Sequence, residues 1–387
     1  MPAEGGQVLF RILHLADLHL GWKPAFMPPD RAVERQRRRD RLLARAVDYA
    51  LDPTNGVRLV LIAGDLFETH RPDTALVAEV VGQLRRLESG GVPVVTVPGN
   101  HDEITYHDSV YRTHGSSWPG VLVQNPLPDH VVTLAIGDTP VHIYSLAYTG
   151  GVTPAGVPLR DFPRRDEPGL HVAVFHGTLG DWGGDRCLAL DRDALGRAGY
   201  DYVALGHIHQ AQEETLGRTR VAYAGAAEGK GFDDPGTRAW TLVEVEPGRG
   251  VVGLRRVPVD VQVVDTVTVD AGRFASAEEL RAYLEGVAPP DAILRVRLEG
   301  IPAFSVDPDA LQVELGSRFF YVEVDDATEP VTREQLAAWA TEPTILGLFV
   351  RRLQEEIEGA VDARQRRIAE RALRLGIRAL LREGSGR

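Results

Sequence analysis

The sequence predicts a chain of two or three domains whose first part alternates strands with helices, as α/β-type sheets do. Three observations lead there. At 387 residues the chain is longer than one ordinary core organises. Short apolar runs, residues 9–15 and 58–63 chief among them, are followed by helical patterns, and the second run is continuous, as in a strand covered on both faces. Each run then ends in residues able to do chemistry, and the C-terminal ends of strands are where such sheets keep their active sites.

Taken in order, residues 9–15 form the first strand and lead into Asp17 and His19. Two apart on an extended backbone, these side chains share one side of the chain. Both are costly to bury unpaired. Pro28 and Pro29 break the chain, Asp30 offers an N-cap, and a helix is expected to about Leu51. Its first half carries Arg31, Arg35, Arg37, Arg38, Arg39, Arg41 and Arg45 against Glu34 and Asp40. Such a face is either solvated or aimed at phosphate. Residues 58–63 are the next strand, ending in Gly64-Asp65-Leu66-Phe67-Glu68. A helix over 73–87 follows, then a strand over 92–97 that ends in Asn100, His101 and Asp102.

A hairpin through Gly137-Asp138 spans 131–146, and a strand over 170–175 ends in His176. Residues 200–205 form a buried strand running into Gly206-His207-Ile208-His209, where the glycine lets the backbone approach something closely. Closing strands are expected at 221–223 and 238–245, joined by a glycine-rich loop over 224–236.

Pro247-Gly248-Arg249-Gly250 marks an expected boundary after the sheet region. Strands at 264–269, 291–298 and 319–324 then alternate with two helices. Ser276 to Glu279 is a capping box for the first, and Asp307-Pro308 opens the second, giving a small β-α-β-α-β domain. Thr332 to Gln335 is a second capping box. After Pro343 a helical stretch reaches about Arg382. Ile345, Leu348, Phe349, Leu353 and Ile357 follow 3–4 spacing, and Ile368, Leu375, Ile377 and Leu381 continue the apolar series. Such a stripe either packs on its own domain or docks a partner helix. The expected division is therefore 1–250, 255–330 and 331–387.

Bulk composition narrows the function. A chain 43% hydrophobic and 25% charged is an ordinary globular one. No apolar run approaches bilayer-spanning length. Residues 1–8 lack the basic and apolar regions of a signal peptide. Cys187 is the only cysteine, which excludes intrachain disulfides and thiolate metal clusters and fits a reducing, cytoplasmic setting. A net charge of −12 argues against coating nucleic acid through bulk charge, while leaving room for a local basic surface, bound metal or a basic partner.

Five strand ends thus present oxygen and imidazole groups: Asp17/His19, Asp65, Asn100/His101, His176 and His207/His209. A carboxylate, amide and imidazole set without sulfur suits Mn, Fe or Zn. It exceeds the needs of one ion, and two ions sharing a carboxylate fit the count. Such a pair activates a water and stabilises both apical oxygens of an in-line phosphoryl displacement.

The order D-x-H, G-D, G-N-H-D, a lone H and G-H-x-H, over residues 9–210, resembles the calcineurin-like metallophosphoesterases. The resemblance implies an α+β chain built on a four-layer α/β/β/α sandwich with a two-metal site. Carried over, Asp17, His19 and His209 would hold one ion, Asn100, His176 and His207 the other, with Asp65 bridging. His101 would lie beside the scissile phosphate, oriented by Asp102. Asp17-Leu18-His19-Leu20-Gly21, Gly64-Asp65-Leu66-Phe67-Glu68-Thr69 and Gly206-His207-Ile208-His209 resemble the SbcD-type nucleases of DNA double-strand-break repair. Glu68 and the loop 225–232 look closer to their bacterial YhaO-like relatives; some relatives carry a histidine where Glu68 stands, and His70 is the neighbouring candidate to compensate. The resemblance implies a Mn-dependent exo- or endonuclease acting on DNA ends, a homodimer, and an SbcC-like coiled-coil ATPase gripped by the C-terminal helices. Arg35, Arg37 and Arg38 then become candidate DNA contacts. Two other readings stay open: a phosphodiesterase or phosphatase on small molecules, and a DNA-end scaffold with vestigial activity.

Overall fold

The computed structural model describes residues 10–150, 158–180, 187–328 and 331–384. Residues 1–9, including Leu9 at the start of the first expected strand, and the side chain of Leu381 lie outside what is described. The chain separates into two compact units, Met1–Gln262 and Val263–Arg387.

In the first unit β1 (Phe10–Leu15), β2 (Val57–Ala63), β3 (Val94–Val97) and β4 (Val121–Leu122) run parallel. They are connected through α1 (Pro29–Asp40), α2 (Leu42–Leu51), α3 (Thr74–Ser89) and α4 (Val110–His114). A second sheet begins with the hairpin β5 (Asp129–Ile136) and β6 (Thr139–Ser145), whose two-residue turn places Gly137 at φ 59°. It continues with β7 (Leu170–His176). After the short strands β8 (Thr178–Leu179) and β9 (Ala189–Leu190) and α5 (Arg192–Ala198) come β10 (Tyr202–Gly206), β11 (Gln212–Leu216) and β12 (Thr219–Tyr223). β13 (Ala239–Glu246) returns to pair antiparallel with β1, and β14 (Gly250–Pro258) forms the edge. The two sheet orders are β14-β13-β1-β2-β3-β4 and β11-β12-β10-β7-β6-β5.

The sheets pack face to face. In β10, Tyr202 and Ala204 join the core shared with the first sheet, while Val203 and Leu205 join an outer core with Leu195 of α5. Strand alternation sorts these residues between two layers. On the far side, Leu42, Leu43, Ala46 and Val47 of α2 and Val80 and Leu84 of α3 cover the first sheet. The result is the expected four-layer sandwich, helices outside and sheets within.

Three sequence expectations change. The helix over 30–51 is two helices, broken at Arg41, whose N–H bonds back to the Arg38 carbonyl. The break lets α1 turn Arg35 and Arg39 inward while α2 lays its apolar face on the sheet. Pro247–Gly250 does not end the sheet region: it is the turn of the β13–β14 hairpin, with Gly248 and Gly250 at φ 77° and 78°. And β11, with the sequence Gln-Glu-Glu-Thr-Leu, is an edge strand too polar to announce itself.

In the second unit β15 (Val264–Asp270), β16 (Ile293–Glu299) and β17 (Tyr321–Asp326) form a parallel sheet in that order. α6 (Ala277–Leu284) and α7 (Pro308–Leu315) bridge the strands. Ser276 and Asp307 cap them, accepting from the N–H groups of Glu279 and Ala310. α8 (Arg333–Thr341) opens with a complete capping box between Thr332 and Gln335. The stretch after Pro343 is α9 (Ile345–Glu358) and α10 (Ala363–Gly384). Val350, Leu373 and Ile377 are buried between the helices, whereas Ile345, Leu348, Ile368 and Leu375 face outward. Among the described residues no helix is long and apolar enough to cross a membrane.

Candidate metal centre

The candidate ligand residues sit where the strands of both sheets end. Four of them, Asp17, His19, Asp65 and His207, hold positive φ of 55°, 47°, 51° and 94°. Side chains rarely adopt that conformation, and each instance costs roughly 1–2 kcal/mol. Hydrogen bonds hold the backbone there: Asp17 N–H to the Gly64 carbonyl at 3.1 Å, and His19 N–H to the Asp65 carbonyl at 3.0 Å. Neighbouring glycines make room. A Cβ on Gly64, at φ 87°, would lie 2.2 Å from the His176 ring, and one on Gly206 would lie 2.0 Å from the Ala63 carbonyl oxygen. This is the close approach read for Gly206 from the sequence.

Asp17, His19 and His209 bring ligand atoms within 4.8 Å of one another, as do Asp17, Asp65 and His176, and His19, Asp65 and His101. Asp65 lies between two imidazoles: its Oδ2 is 3.7 Å from His19 Nε2 and 3.4 Å from His176 Nε2. Asn100 Oδ1 is 2.9 Å from both His176 Nε2 and His207 Nδ1. His207 donates its backbone N–H to both oxygens of Asp17.

The hydrogen-bond chemistry calls for cations here. His209 Nδ1 is 2.7 Å from Asp234 Oδ2, and His19 Nδ1 is 2.8 Å from Glu68 Oε2. An ionised carboxylate only accepts, so each Nδ1 carries the proton and each neutral ring keeps a lone pair on Nε2. Those two Nε2 atoms face each other at 3.1 Å. His176 differs: its Nδ1 meets the Ala63 carbonyl oxygen at 2.9 Å, and its Nε2 faces Asn100 Oδ1 and Asp65 Oδ2, so without a cation there a second proton sits on this ring. Lone pairs converging on one space repel unless a proton or a metal ion stands between them. The donor set, nitrogen and oxygen without sulfur, fits a divalent transition ion. Asp234, Glu68 and the Ala63 carbonyl play the orienting part that metal-bound histidines ordinarily require.

Ionisation follows burial. Burial raises the Asp17 carboxyl to about 6 against the pull of His176 and His209. It would raise Asp65 too, but His176 and His19 outweigh it and hold Asp65 ionised well below the usual range. Burial lowers His19 and His207 to about 4 each. His176 moves the other way: burial opposes its charge, yet Asp65 and Asp17 bring it to about 9. Burial likewise works against an ionised Glu68, which His19 and Lys230 nonetheless hold at about 2.

Two sequence expectations need correction. Asp102 does not orient His101. Its buried carboxylate accepts from the N–H groups of Gly99 (2.7 Å) and Phe67 (3.1 Å) and from the Tyr111 hydroxyl (2.7 Å), so it locks the loop that carries Asn100 and His101. His101 Nδ1 instead meets the Glu68 carbonyl oxygen at 3.1 Å. Arg35 is no surface contact either. It is 1% exposed, ion-paired with Glu228, and donates to the Gly229 carbonyl at 3.0 Å. Arg39 donates to the same carbonyl at 3.1 Å and to that of Leu18 at 2.9 Å. The two arginines clamp the glycine-rich loop that carries Lys230 and Asp234. Arg37 is exposed, and Arg38 bonds Glu34 one turn back at 2.9 Å. His70 stacks on Tyr106, 3.8 Å from Asp108, and takes no part in the centre.

Asp234 and Lys230 are the residues that sequence reasoning missed. Lys230 Nζ lies 2.7 Å from Glu68 Oε2 and 3.4 Å from His19 Nδ1. Their only signal was position, in a glycine-rich loop following the histidine pair.

With this geometry in place, the family description "Calcineurin-like phosphoesterase" matches residues 10–211. A DNA double-strand break repair protein Mre11 of Haloferax volcanii is 27% identical over 361 residues, 84% of this chain and 74% of that protein. The Mre11 of Methanopyrus kandleri is 27% identical over 356 residues, 82% of this chain and 73% of the relative. An uncharacterized metallophosphoesterase, YhaO of Bacillus subtilis, is 27% identical over 200 residues, half of this chain and 46% of its own length.

Proposed function

This chain belongs to the calcineurin-like phosphoesterases, metal-dependent hydrolases, and from that premise we propose that it is a Mn-dependent DNA nuclease of double-strand-break repair. One observation carries the reading. The similarity to the Mre11 of Haloferax volcanii extends over 84% of the chain, past residue 211, and so includes more than a phosphoesterase domain.

In this reading Asp17, His19 and His209 hold one divalent ion, Asn100, His176 and His207 the other, and Asp65 serves both. Two such ions supply Lewis acidity and a deprotonated water for attack on phosphorus. The protein's part is to arrange the rest. Glu68 and Asp234 fix the tautomers of His19 and His209, so that Nε2 of each ring points inward. The Asp102 carboxylate and the Tyr111 hydroxyl hold the Asn100–His101 loop rigid. His101, its Nδ1 held by the Glu68 carbonyl, has Nε2 left for the substrate, beside the leaving alkoxide oxygen that needs a proton.

The same reading places the protein in the cytoplasm, as a homodimer on DNA ends with an SbcC-like coiled-coil ATPase. The outward Leu348, Ile368 and Leu375 of α9 and α10 support a helical partner. The deciding experiment is cleavage of linear duplex and single-stranded DNA with Mn²⁺ by wild type and His101→Ala, beside a cyclic-nucleotide substrate. Mn-dependent DNA cleavage that is lost in the variant, with Mn²⁺ binding retained, is expected. Turnover of the cyclic diester far above that of DNA refutes the nuclease in favour of a small-molecule phosphodiesterase. Wild-type DNA binding without any hydrolysis leaves a scaffold.

A further inference from the structure

Two pairs of aromatic rings flank the metal centre without belonging to it. Tyr106 and His70 stack, with ring centroids 4.1 Å apart and planes at 24°. Tyr106 is nonetheless 41% exposed. Backbone bonds fix both loops: Val110 N–H to the His70 carbonyl at 2.8 Å, and Ser109 N–H to the Tyr106 carbonyl at 3.1 Å. His70 follows Glu68 by two residues, so their Cα atoms are within about 7 Å. Glu68 in turn reaches His19 at 2.8 Å and His101 at 3.8 Å. The exposed guanidinium of Arg71 stands beside His70, 3.4 Å from Asp108.

The second pair joins the glycine-rich loop, which carries Phe232, to the segment before α1, which carries Phe26. Phe26 and Phe232 meet at 5.5 Å between centroids, tilted by 47°, with Phe26 38% exposed. Phe232 follows Lys230 by two residues, and Lys230 Nζ is 3.4 Å from His19 Nδ1. The four rings sit on loops outside the hydrophobic cores, although burial would stabilise each by a few kcal/mol. The Arg35 and Arg39 clamp holds the loop beneath Phe232, and backbone bonds hold those of His70 and Tyr106. Rigid, half-exposed aromatic faces beside a phosphate-binding centre are the surface on which unpaired bases stack, whatever their sequence.

We propose that Tyr106/His70 and Phe26/Phe232 are stacking platforms for unpaired nucleobases next to the phosphate that is cut, an inference that rests on the nuclease reading. The substrate is then a strand whose bases are free at the cleavage point. A fully paired end must open before its phosphate reaches His101, because bases stacked inside a duplex have no face to offer. Arg71 supplies a cation for the neighbouring phosphate.

The test uses the purified chain with Mn²⁺ and linear DNA ending in three ways: fully paired, mismatched over the last nucleotides, and mismatched with abasic sites there. Wild type is expected to cut the mismatched end fastest and to lose roughly tenfold on the abasic one. Tyr106→Ala should lose roughly tenfold on the mismatched end and show no further loss on abasic DNA, since ring and base act as one contact. Tyr106→Phe, which keeps the ring, should cut like wild type, and Phe232→Ala should behave like Tyr106→Ala. Wild-type rates in both alanine variants, or losses that multiply independently of the base, overturn the platforms while leaving the nuclease standing. No cleavage of any DNA by wild type overturns both.

Discussion

Replacing Asp234 should weaken Mn²⁺ binding without touching any of the seven candidate ligands. Its Oδ2 lies 2.7 Å from His209 Nδ1 and 3.3 Å from the Lys230 N–H. A hydrogen bond to a charged group contributes about 1.5–3 kcal/mol. Removing an orienting partner of a metal-bound histidine typically lowers affinity 10–100-fold, about 1.4–2.8 kcal/mol, so the two routes agree. Asp234→Asn keeps an acceptor and loses only the charge, which places it near the tenfold end. Asp234→Ala also frees the His209 ring to turn and strands the Lys230 N–H, which places it near a hundredfold. The assay is titration calorimetry of the metal-free protein with Mn²⁺. Activity should be largely recovered at saturating metal, because the ligands themselves remain. Wild-type Mn²⁺ affinity in both variants would refute the argument that Asp234 fixes the His209 tautomer for metal.

Other expectations follow from the same structure. Arg35→Met leaves Glu228 buried and unpaired, so urea denaturation should show a loss of about 3–5 kcal/mol; a change under about 1 kcal/mol would mean that the clamp is slack. Charge reversal at Arg37 and Arg38 should flatten the salt dependence of DNA binding, and an unchanged slope removes α1 from the DNA surface. His14 lies between the sheets with Nδ1 2.9 Å from the Tyr202 hydroxyl, and burial followed by Arg256 lowers it from 6.5 to about 3. With its folded pKa depressed, the unfolded chain binds the extra proton, so stability is full above 6.5 and falls as pH drops toward 3. At about pH 4.5 the loss approaches 2.7 kcal/mol. His14→Gln should show a correspondingly smaller drop in melting temperature between pH 7 and pH 4.5, and an equal drop would refute the assignment.

The alternation of strands and helices was legible because the central strands are buried on both faces, whereas the four-layer sandwich came only through the resemblance of the motifs to a known family. Val57–Ala63 and Leu170–His176 read as nearly unbroken apolar runs, and the residues after them could only be there for chemistry. What escaped was set by tertiary partners. Arg35 and Arg39 look solvated on a helix with so many arginines, and only Glu228 and the Gly229 carbonyl, some 190 residues away in sequence, make them internal. The orienting role of Asp102 was carried over from the family resemblance, not read from contacts. The turn instead points its carboxylate at Gly99, Phe67 and Tyr111. Asp234 gave no periodic or spacing signal, since a loop residue that acts through one hydrogen bond leaves no pattern in the chain. β14 was hidden because Pro247-Gly248-Arg249-Gly250 read as the boundary after the sheet region, when it is a hairpin turn leading into that strand.

The left-handed backbone at Asp17, His19, Asp65 and His207 sets stability and the metal centre against each other. Glycine would hold each of these conformations at less conformational strain, so a lineage released from hydrolysis has an easy downhill route: any of the four changed to glycine relieves strain and removes a ligand at one stroke. Each of these four positions is therefore one where a single substitution would trade the centre for stability, and the fold on its own gives no reason for the residue that stands there.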